Sequence, residues 1–148
     1  MAFNQLNNTI YGLGESGGVP ALITIDPSSG AGTLVGITGT PGGGGRGFTD
    51  MSFRPSDNLL FTHNLDNCGQ NIYTINVTSG MATLVGSTAN GCEGGNSLEF
   101  DASNTLYLGH YSSGLWTVNQ STGAATFVRA LNYPPLLSGG SARPHAMK

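Results

Sequence analysis

The chain has 148 residues, of which 38% are hydrophobic and only 9% are charged, and its formal net charge is −3. This length is enough for about one domain with a buried core, and the recurrence of β-branched and aromatic residues argues against disorder. The mildly acidic balance excludes the basic surface of a nucleic-acid-binding protein, and no apolar run reaches the ~20 residues that span a bilayer. We therefore predict neither a nucleic-acid partner nor a membrane span.

The chain contains three copies of one pattern, each of which predicts four strands, a to d. Strand a ends in an anchor phenylalanine in every copy, at Phe3, Phe53 and Phe100. The anchors are 50 and 47 residues apart. A period in this range, built from short alternating strands, is typical of propeller blades rather than of helical solenoids.

Strands b and c follow a polar turn in each copy. The predicted b strands are Thr9–Gly12, Leu59–Thr62 and Thr105–Gly109. The predicted c strands are Leu22–Ile25, Ile72–Ile75 and Leu115–Val118. The c strands alternate with a period of two and are rich in β-branched and aromatic residues, which is the signature of a half-buried strand.

The turn between strands c and d is the same in all three copies. It runs from Asp26 to Gly30, from Asn76 to Gly80 and from Asn119 to Gly123. An Asp or Asn side chain can cap such a turn, while glycine supplies a positive φ. The d strands follow at Thr33–Gly36, Thr83–Gly86 and Thr126–Val128. For the core between the repeats we predict the three anchors together with Ile25, Ile75, Val118, Leu34, Leu84 and Phe127.

These elements predict an all-β fold, a β-propeller with three four-stranded blades at about residues 1–47, 48–96 and 97–131 and a flexible tail at 132–148. Propellers close with four to eight blades, so three blades would leave two apolar faces bare. We expect a second chain to complete a six-bladed ring. A larger array, and a chain that is a fragment of a longer protein, remain open alternatives.

The loops divide between two faces of the predicted propeller. The a–b and c–d turns are short and uniform, whereas the b–c loops and the d–a crossovers vary, and binding usually lies in variable loops on a constant scaffold. We predict ligand-binding residues on this variable face at Glu15, Arg46, Asp50, His63, Asp66, Glu93, His110 and Tyr111. Its four acidic residues are the ligand type that calcium prefers, but no EF-hand spacing accompanies them, so no metal or other cofactor is predicted.

The two cysteines are predicted to form a disulfide. Cys68 lies in the second b–c loop and Cys92 lies in the following crossover, which places both on the variable face. A bond between them would close a loop of about 25 residues and stabilise the fold by roughly 3 kcal/mol. The alternative is a pair of unrelated thiols. A disulfide, together with the sparse charge, indicates an extracellular or cell-surface location.

The segments Ile23–Gly36 and Ile72–Gly86 resemble the blade repeat of secreted bacterial β-propellers of the broad NHL, YVTN and DUF4394-like kind. The resemblance implies the propeller fold, and it rests on turn and strand residues. Some similar six-bladed propellers, the lactonases, hold a channel metal with acidic and asparagine ligands. Those ligands cannot be aligned with this chain residue by residue, so none is carried over to it.

For function, we expect a non-catalytic extracellular structural or binding module. It self-associates, as a homodimer or a larger assembly, through its terminal blades, and it binds a glycan or a protein through the variable face. The alternative is a lactonase-like or other hydrolytic propeller with a metal in its channel. No catalytic residue is predicted, because no arrangement of serine, histidine and aspartate is evident in the sequence.

Overall fold

The computed structural model describes residues 1–39, 46–65, 70–89, 95–110 and 114–130, and within these ranges the chain forms β-strands and no helix. The strands are β1 (Ala2–Asn4), β2 (Thr9–Ser16), β3 (Val19–Ile25), β4 (Gly32–Ile37), β5 (Arg46–Phe53), β6 (Leu60–Leu65), β7 (Asn71–Ile75), β8 (Ala82–Ser87), β9 (Gly95–Phe100), β10 (Leu106–His110), β11 (Gly114–Val118) and β12 (Ala125–Arg129). Among the described residues there is accordingly no helix that is long and apolar enough to cross a membrane.

The strands form three separate four-stranded antiparallel sheets, in the orders β1-β2-β3-β4, β5-β6-β7-β8 and β9-β10-β11-β12. We call these sheets blades 1, 2 and 3. Each is a meander in which strands adjacent in sequence are paired, and the first strands β1, β5 and β9 are neighbours across the blades. The predicted all-β class and the three four-stranded sheets are confirmed, and the arrangement is consistent with three propeller blades.

The predicted c–d turns are confirmed, and all three are built alike. In blade 1 the Gly30 amide donates to the Asp26 carbonyl oxygen at 2.7 Å, and Asp26 Oδ1 accepts the Ser28 amide at 2.8 Å. The hydroxyl of Ser29 and the donors of Ser28 lower the pKa of Asp26 to about 2. The corresponding glycine-to-asparagine bonds of the other two turns are each 2.8 Å long, and all three glycines have φ between +72° and +78°.

Two apolar clusters hold the three blades together, one in each joint between neighbouring blades. The first joint contains Tyr11 and Leu22 of blade 1 and Met51, Leu60 and Ile75 of blade 2. The second joint contains Phe61 and Ile72 of blade 2 and Leu98, Phe100, Leu106, Leu108 and Val118 of blade 3. Successive residues of β6 therefore enter opposite joints, because side chains alternate across a sheet.

The predicted core is confirmed for Ile75, Val118 and Phe100, which are buried. It is wrong for the three residues of the d strands: Leu34, Leu84 and Phe127 are 52%, 55% and 50% exposed. Leu84 belongs to the middle blade, so a missing neighbour does not explain its exposure. The d strands are the outermost strands of their sheets, and the residues next to Leu34 and Leu84, Val35 and Val85, pack into the clusters instead.

Two further predictions fall on residues beyond the described ranges. The predicted tail at 132–148 lies outside them, as do Cys68 and Cys92, so their disulfide stays a prediction.

Candidate functional site

The outer rim of the first joint is closed by a glycine. Gly36 of β4 lies so close to the c–d turn of blade 2 that a Cβ at this position would be 2.0 Å from the Ser79 carbonyl oxygen. Next to this contact, the Ala82 amide donates to the Thr38 carbonyl oxygen at 2.8 Å. The last strand of blade 1 thus docks, backbone to backbone, on the turn of the next blade.

The second joint repeats this contact. A Cβ at Gly86 would be 2.0 Å from the Thr122 carbonyl oxygen, and the Ala125 amide donates to the Thr88 carbonyl oxygen at 3.0 Å. The register of the sheets confirms the equivalence, because Gly36 and Gly86 pair with matching positions of their neighbouring strands, Leu22 and Ile72. In both internal joints, a glycine of strand d therefore docks on the c–d turn of the next blade.

The inner side of the second joint uses two side chains of β5. Asp50 Oδ2 accepts the Leu98 amide at 3.0 Å, and Ser52 Oγ accepts the Phe100 amide at 3.2 Å. The other carboxylate oxygen, Asp50 Oδ1, accepts the amide of Met51 at 2.9 Å. Asp50, one of the predicted ligand-binding residues, thus accepts one backbone amide of blade 3, which joins blades 2 and 3, and one amide of its own strand.

Both histidines of the predicted site are buried within the second joint. His63 follows Phe61 by two residues on β6 and therefore faces blade 3, and its Nε2 lies 2.6 Å from Thr49 Oγ1. His110 follows Leu108 by two residues on β10 and therefore faces blade 2. The structure thus directs both imidazoles into one joint rather than to the surface of the variable face.

Gln70 is a further buried polar residue at this joint and was not among the predicted residues. It occupies the position of Pro20 in blade 1, since Thr88 donates its amide to the Gln70 carbonyl at 2.9 Å just as Thr38 does to Pro20 at 3.0 Å. The part of the chain that the structure describes offers its side-chain amide no hydrogen-bond partner. The position of Gln70 two residues before Ile72 on the same strand face directs it toward the second joint.

The other predicted site residues are not brought together by the described structure. Glu15 is exposed on β2, opposite Pro20 of β3. Arg46 begins β5 and pairs with Leu65 of β6. Asp66, Glu93 and Tyr111 lie outside the described ranges. Within those ranges, no group of three or more His, Cys, Asp and Glu side chains is placed to hold a metal ion.

The described residues also form a concavity that the sequence did not indicate. A cleft of about 600 Å³ lies between the inner strands β1, β5 and β9 and the a–b turns that follow them. Its walls combine the anchors Phe3, Phe53 and Phe100 with the charged residues Arg54, Glu99 and Asp101. The cleft opens toward the a–b turns, which the sequence had assigned to the uniform side.

Arg54, in the wall of the cleft, contacts three side chains. Its Nε donates to Asp57 Oδ1 at 2.8 Å, its Nη1 donates to Gln120 Oε1 of blade 3 at 2.8 Å, and its guanidinium lies 5.3 Å from the centre of the Phe61 ring. The hydrogen bond from Arg54 lowers the pKa of the Asp57 carboxyl. Arg54 thus links blades 2 and 3 and keeps Asp57 charged.

We expect this pair to make stability depend on pH. A carboxyl whose pKa is lowered on folding stabilises the protein above its unfolded pKa, and the contribution is lost as the pH falls through the folded pKa. Because Asp57 is half-exposed, we expect at most about 1 kcal/mol. Urea unfolding should show wild type to be more stable than Asp57→Asn at about pH 6 and equal to it at about pH 2. A difference that persists in acid would contradict this assignment.

The two outer faces of the three-blade array are open. Met1 of blade 1 is 75% exposed, whereas its equivalents Met51 and Leu98 are 2% and 1% exposed. Phe3 is 51% exposed, whereas its equivalent Phe100 is 7% exposed. Residues that fill a joint in blades 2 and 3 therefore line a bare face in blade 1, which we call the blade 1 face.

The opposite end, the blade 3 face, is formed by residues that would point toward a fourth blade. Val128 of β12 is exposed there, and Tyr107 of β10 and Leu115 of β11 are partly exposed. The equivalents of Tyr107 in the other blades are Tyr11 and Phe61, and those of Leu115 are Leu22 and Ile72. All four are buried in the two internal joints. Each end of the array thus presents half of a joint.

Comparisons with known proteins support the fold alone. No family model matches the chain, and no curated protein matches it. A crystal structure described as a structural genomics protein of unknown function from Bacteroides thetaiotaomicron VPI-5482 is similar, with a TM-score of 0.60, 17% identity and coverage of 85% of this chain and 32% of that one. The chain thus spans about a third of the length of that structure. The resemblance to NHL and YVTN repeats stays a prediction.

Proposed function

We propose that this chain is a non-catalytic structural or binding module of a β-propeller, that it works outside the cell, and that it self-associates through its two open blade faces. The observation that carries the proposal is the contrast between Met1 and its equivalents Met51 and Leu98, which are exposed by 75%, 2% and 1%. A position buried at both internal joints and bare at the end of the array indicates a missing neighbour.

The energetics of the bare faces support association. Burial of apolar surface contributes about 25 cal/mol per Å², and a specific interface buries roughly 1,200–2,000 Å². The free energy of unfolding of a typical domain is only ~5–15 kcal/mol. Two apolar blade faces that stay exposed to water would therefore cost a substantial part of that stability. A head-to-tail contact between the blade 3 face and the blade 1 face, made twice by two chains, would close a six-bladed ring without leftover faces.

A non-catalytic role is supported by the way the described charged side chains are used. The carboxylates of Asp50, Asp57 and Asp101 accept hydrogen bonds from backbone amides or from Arg54, and Asp26 caps a turn. These groups hold turns and joints in place. For a ligand, we propose a glycan or a protein bound at the variable face, because the strand ends there are joined by connections of unequal length while the c–d turns are identical in length.

Light scattering tests the assembly directly. At micromolar concentration the wild-type protein should have at least twice the 15.2 kDa mass of the chain, and its melting temperature should rise with concentration. Phe3→Asp should reduce the mass to that of one chain, because it places a charge on the blade 1 face.

Phe127→Asp is the matched control for this variant. Phe127 is 50% exposed, close to the 51% of Phe3, but it lies on the outer rim, where the equivalent Leu84 is exposed as well. The Phe127→Asp protein should keep the wild-type mass. A wild-type protein that is folded and monomeric at micromolar concentration would overturn the proposed association.

A further inference from the structure

The residue at the docking position of the third blade is not glycine. Gly36 and Gly86 pair with Leu22 and Ile72, and the same register in blade 3 pairs Leu115 with Arg129. Each of the three d strands has its irregularity one residue before this position, so the equivalence does not rest on the sequence alone. The blade 3 face therefore carries an exposed arginine where the internal joints carry no side chain.

The turn that would receive this position also differs in blade 1. In the internal joints, the docked turns begin with Asn76 and Asn119, and their glycines Gly80 and Gly123 are buried. The turn of blade 1 begins with Asp26, and its Gly30 is exposed, with open space where a Cβ would stand. The glycine of the internal contact and the asparagine that begins each docked turn are thus both replaced at the open ends, one by a cation and the other by an anion.

We propose that the blade 3 face binds the blade 1 face of a second copy of this chain, and that Arg129 of one copy pairs with the c–d turn of the other through Asp26. This inference rests on the proposed self-association and identifies its partner and contact. The charge complementarity favours a second copy because the two changes lie on the two outer blades of the described array, and a head-to-tail contact between copies brings them together.

Steric considerations define the shape of this contact. At the internal joints a Cβ would stand 2.0 Å from a turn carbonyl oxygen, so a joint that contains Arg129 must be wider at its outer rim. A long side chain can span such a gap, and the planar guanidinium can donate to the Asp26 carboxylate and to turn carbonyls together. The pair lies at the rim, so it gives orientation and partner choice in addition to affinity.

Charge reversal in trans tests the proposal on the full chain. In a two-chain ring of the Arg129→Asp variant, each joint would place two carboxylates next to each other. In a ring of the Asp26→Arg variant, each joint would place two guanidinium groups next to each other. Each variant alone should associate at least about tenfold more weakly than wild type. An equimolar mixture of the two should recover the wild-type mass in light scattering, because every joint of the mixed ring again opposes a cation and an anion.

Two further variants protect the test from effects on folding. Asp26→Asn introduces the residue that stands naturally in the other two turns, so it keeps the Oδ1 cap on the backbone and removes the charge, together with the acceptor of the Ser29 hydroxyl. It should weaken association in wild type and have no effect in an Arg129→Gln background, as expected for coupled residues. The double variant Asp26→Arg with Arg129→Asp should associate like wild type.

The outcomes separate the two proposals. A monomeric wild type overturns the self-association and the Arg129–Asp26 contact together. A wild-type assembly whose mass is unchanged in Arg129→Asp and in Asp26→Arg overturns only the contact between these residues. Recovery of mass in the mixture, with loss in each variant alone, supports both.

Discussion

Gly86→Ala is expected to lower the free energy of unfolding by about 3 kcal/mol or more, which is a large part of the ~5–15 kcal/mol of a typical domain. The added Cβ would lie 2.0 Å from the Thr122 carbonyl oxygen and 2.8 Å from its carbonyl carbon. Both atoms belong to a turn that is held by the bond from the Gly123 amide to the Asn119 carbonyl, at 2.8 Å. Backbone of this kind cannot rotate away as a side chain would, so the second joint must open at its rim. Urea unfolding followed by circular dichroism measures the loss.

Gly14→Ala is the matched control for this substitution. A Cβ at Gly14 of β2 would meet only side-chain atoms of Ile23, at 3.8 Å and 3.9 Å, which is ordinary van der Waals contact. The variant should be as stable as wild type or slightly more stable, because alanine reduces the entropy of the unfolded chain. Equal urea midpoints for the two variants would show that the docking of β8 on the turn is looser than described.

Phe61→Ala is expected to cost about 3–5 kcal/mol, because it removes the largest fully buried side chain of the second joint. The ring makes an edge-to-face contact with Phe100 at a centroid distance of 5.3 Å and supports the guanidinium of Arg54 at 5.3 Å. Its loss would leave a cavity and would also loosen the bond from Arg54 to Gln120 of blade 3. Thermal unfolding at a fixed protein concentration should detect the change.

The same substitution at Phe127 provides the comparison. Phe127 also makes an aromatic contact, with Trp116 at 5.1 Å, but half of its surface is exposed to solvent. We expect Phe127→Ala to cost about 1 kcal/mol, the range of a single aromatic pair. If the two variants lose equal stability, the difference in burial between the middle and the outer strands has no energetic consequence.

The turns were predictable from the sequence because each is determined locally. An Asp or Asn followed four residues later by glycine specifies the cap and the positive φ without help from the rest of the chain, and three copies at one offset exclude coincidence. The exposure of Leu34 and Leu84 was not predictable in this way. Alternation indicates on which side of a sheet a residue lies, but it does not indicate how much of the outer strand the neighbouring sheet covers.

The site was less predictable than the fold, for a physical reason that His63 illustrates. Its polarity indicated a loop or a ligand site, whereas its phase with Phe61, two residues earlier, already placed it inside a joint. For Gln70 the only indication was its equivalence to Pro20, which becomes evident through the hydrogen bonds from Thr88 and Thr38. The cleft between β1, β5 and β9 depends on how three strands that are distant in sequence pack together. No local sequence pattern indicates that packing.

The docking glycines Gly36 and Gly86 occur in blades 1 and 2 but not in blade 3, so the three blades are not interchangeable. Blade 2 has a docked turn at Gly80 on one side and a docking glycine at Gly86 on the other, so it carries both halves of an internal joint. A chain lengthened by duplication of this unit would meet only contacts that already exist, whereas a duplicated blade 3 would place Arg129 against the backbone of a turn. Duplication of blade 2 would therefore add only joints of the internal kind, whereas duplication of blade 3 would require a joint that is wider at its outer rim.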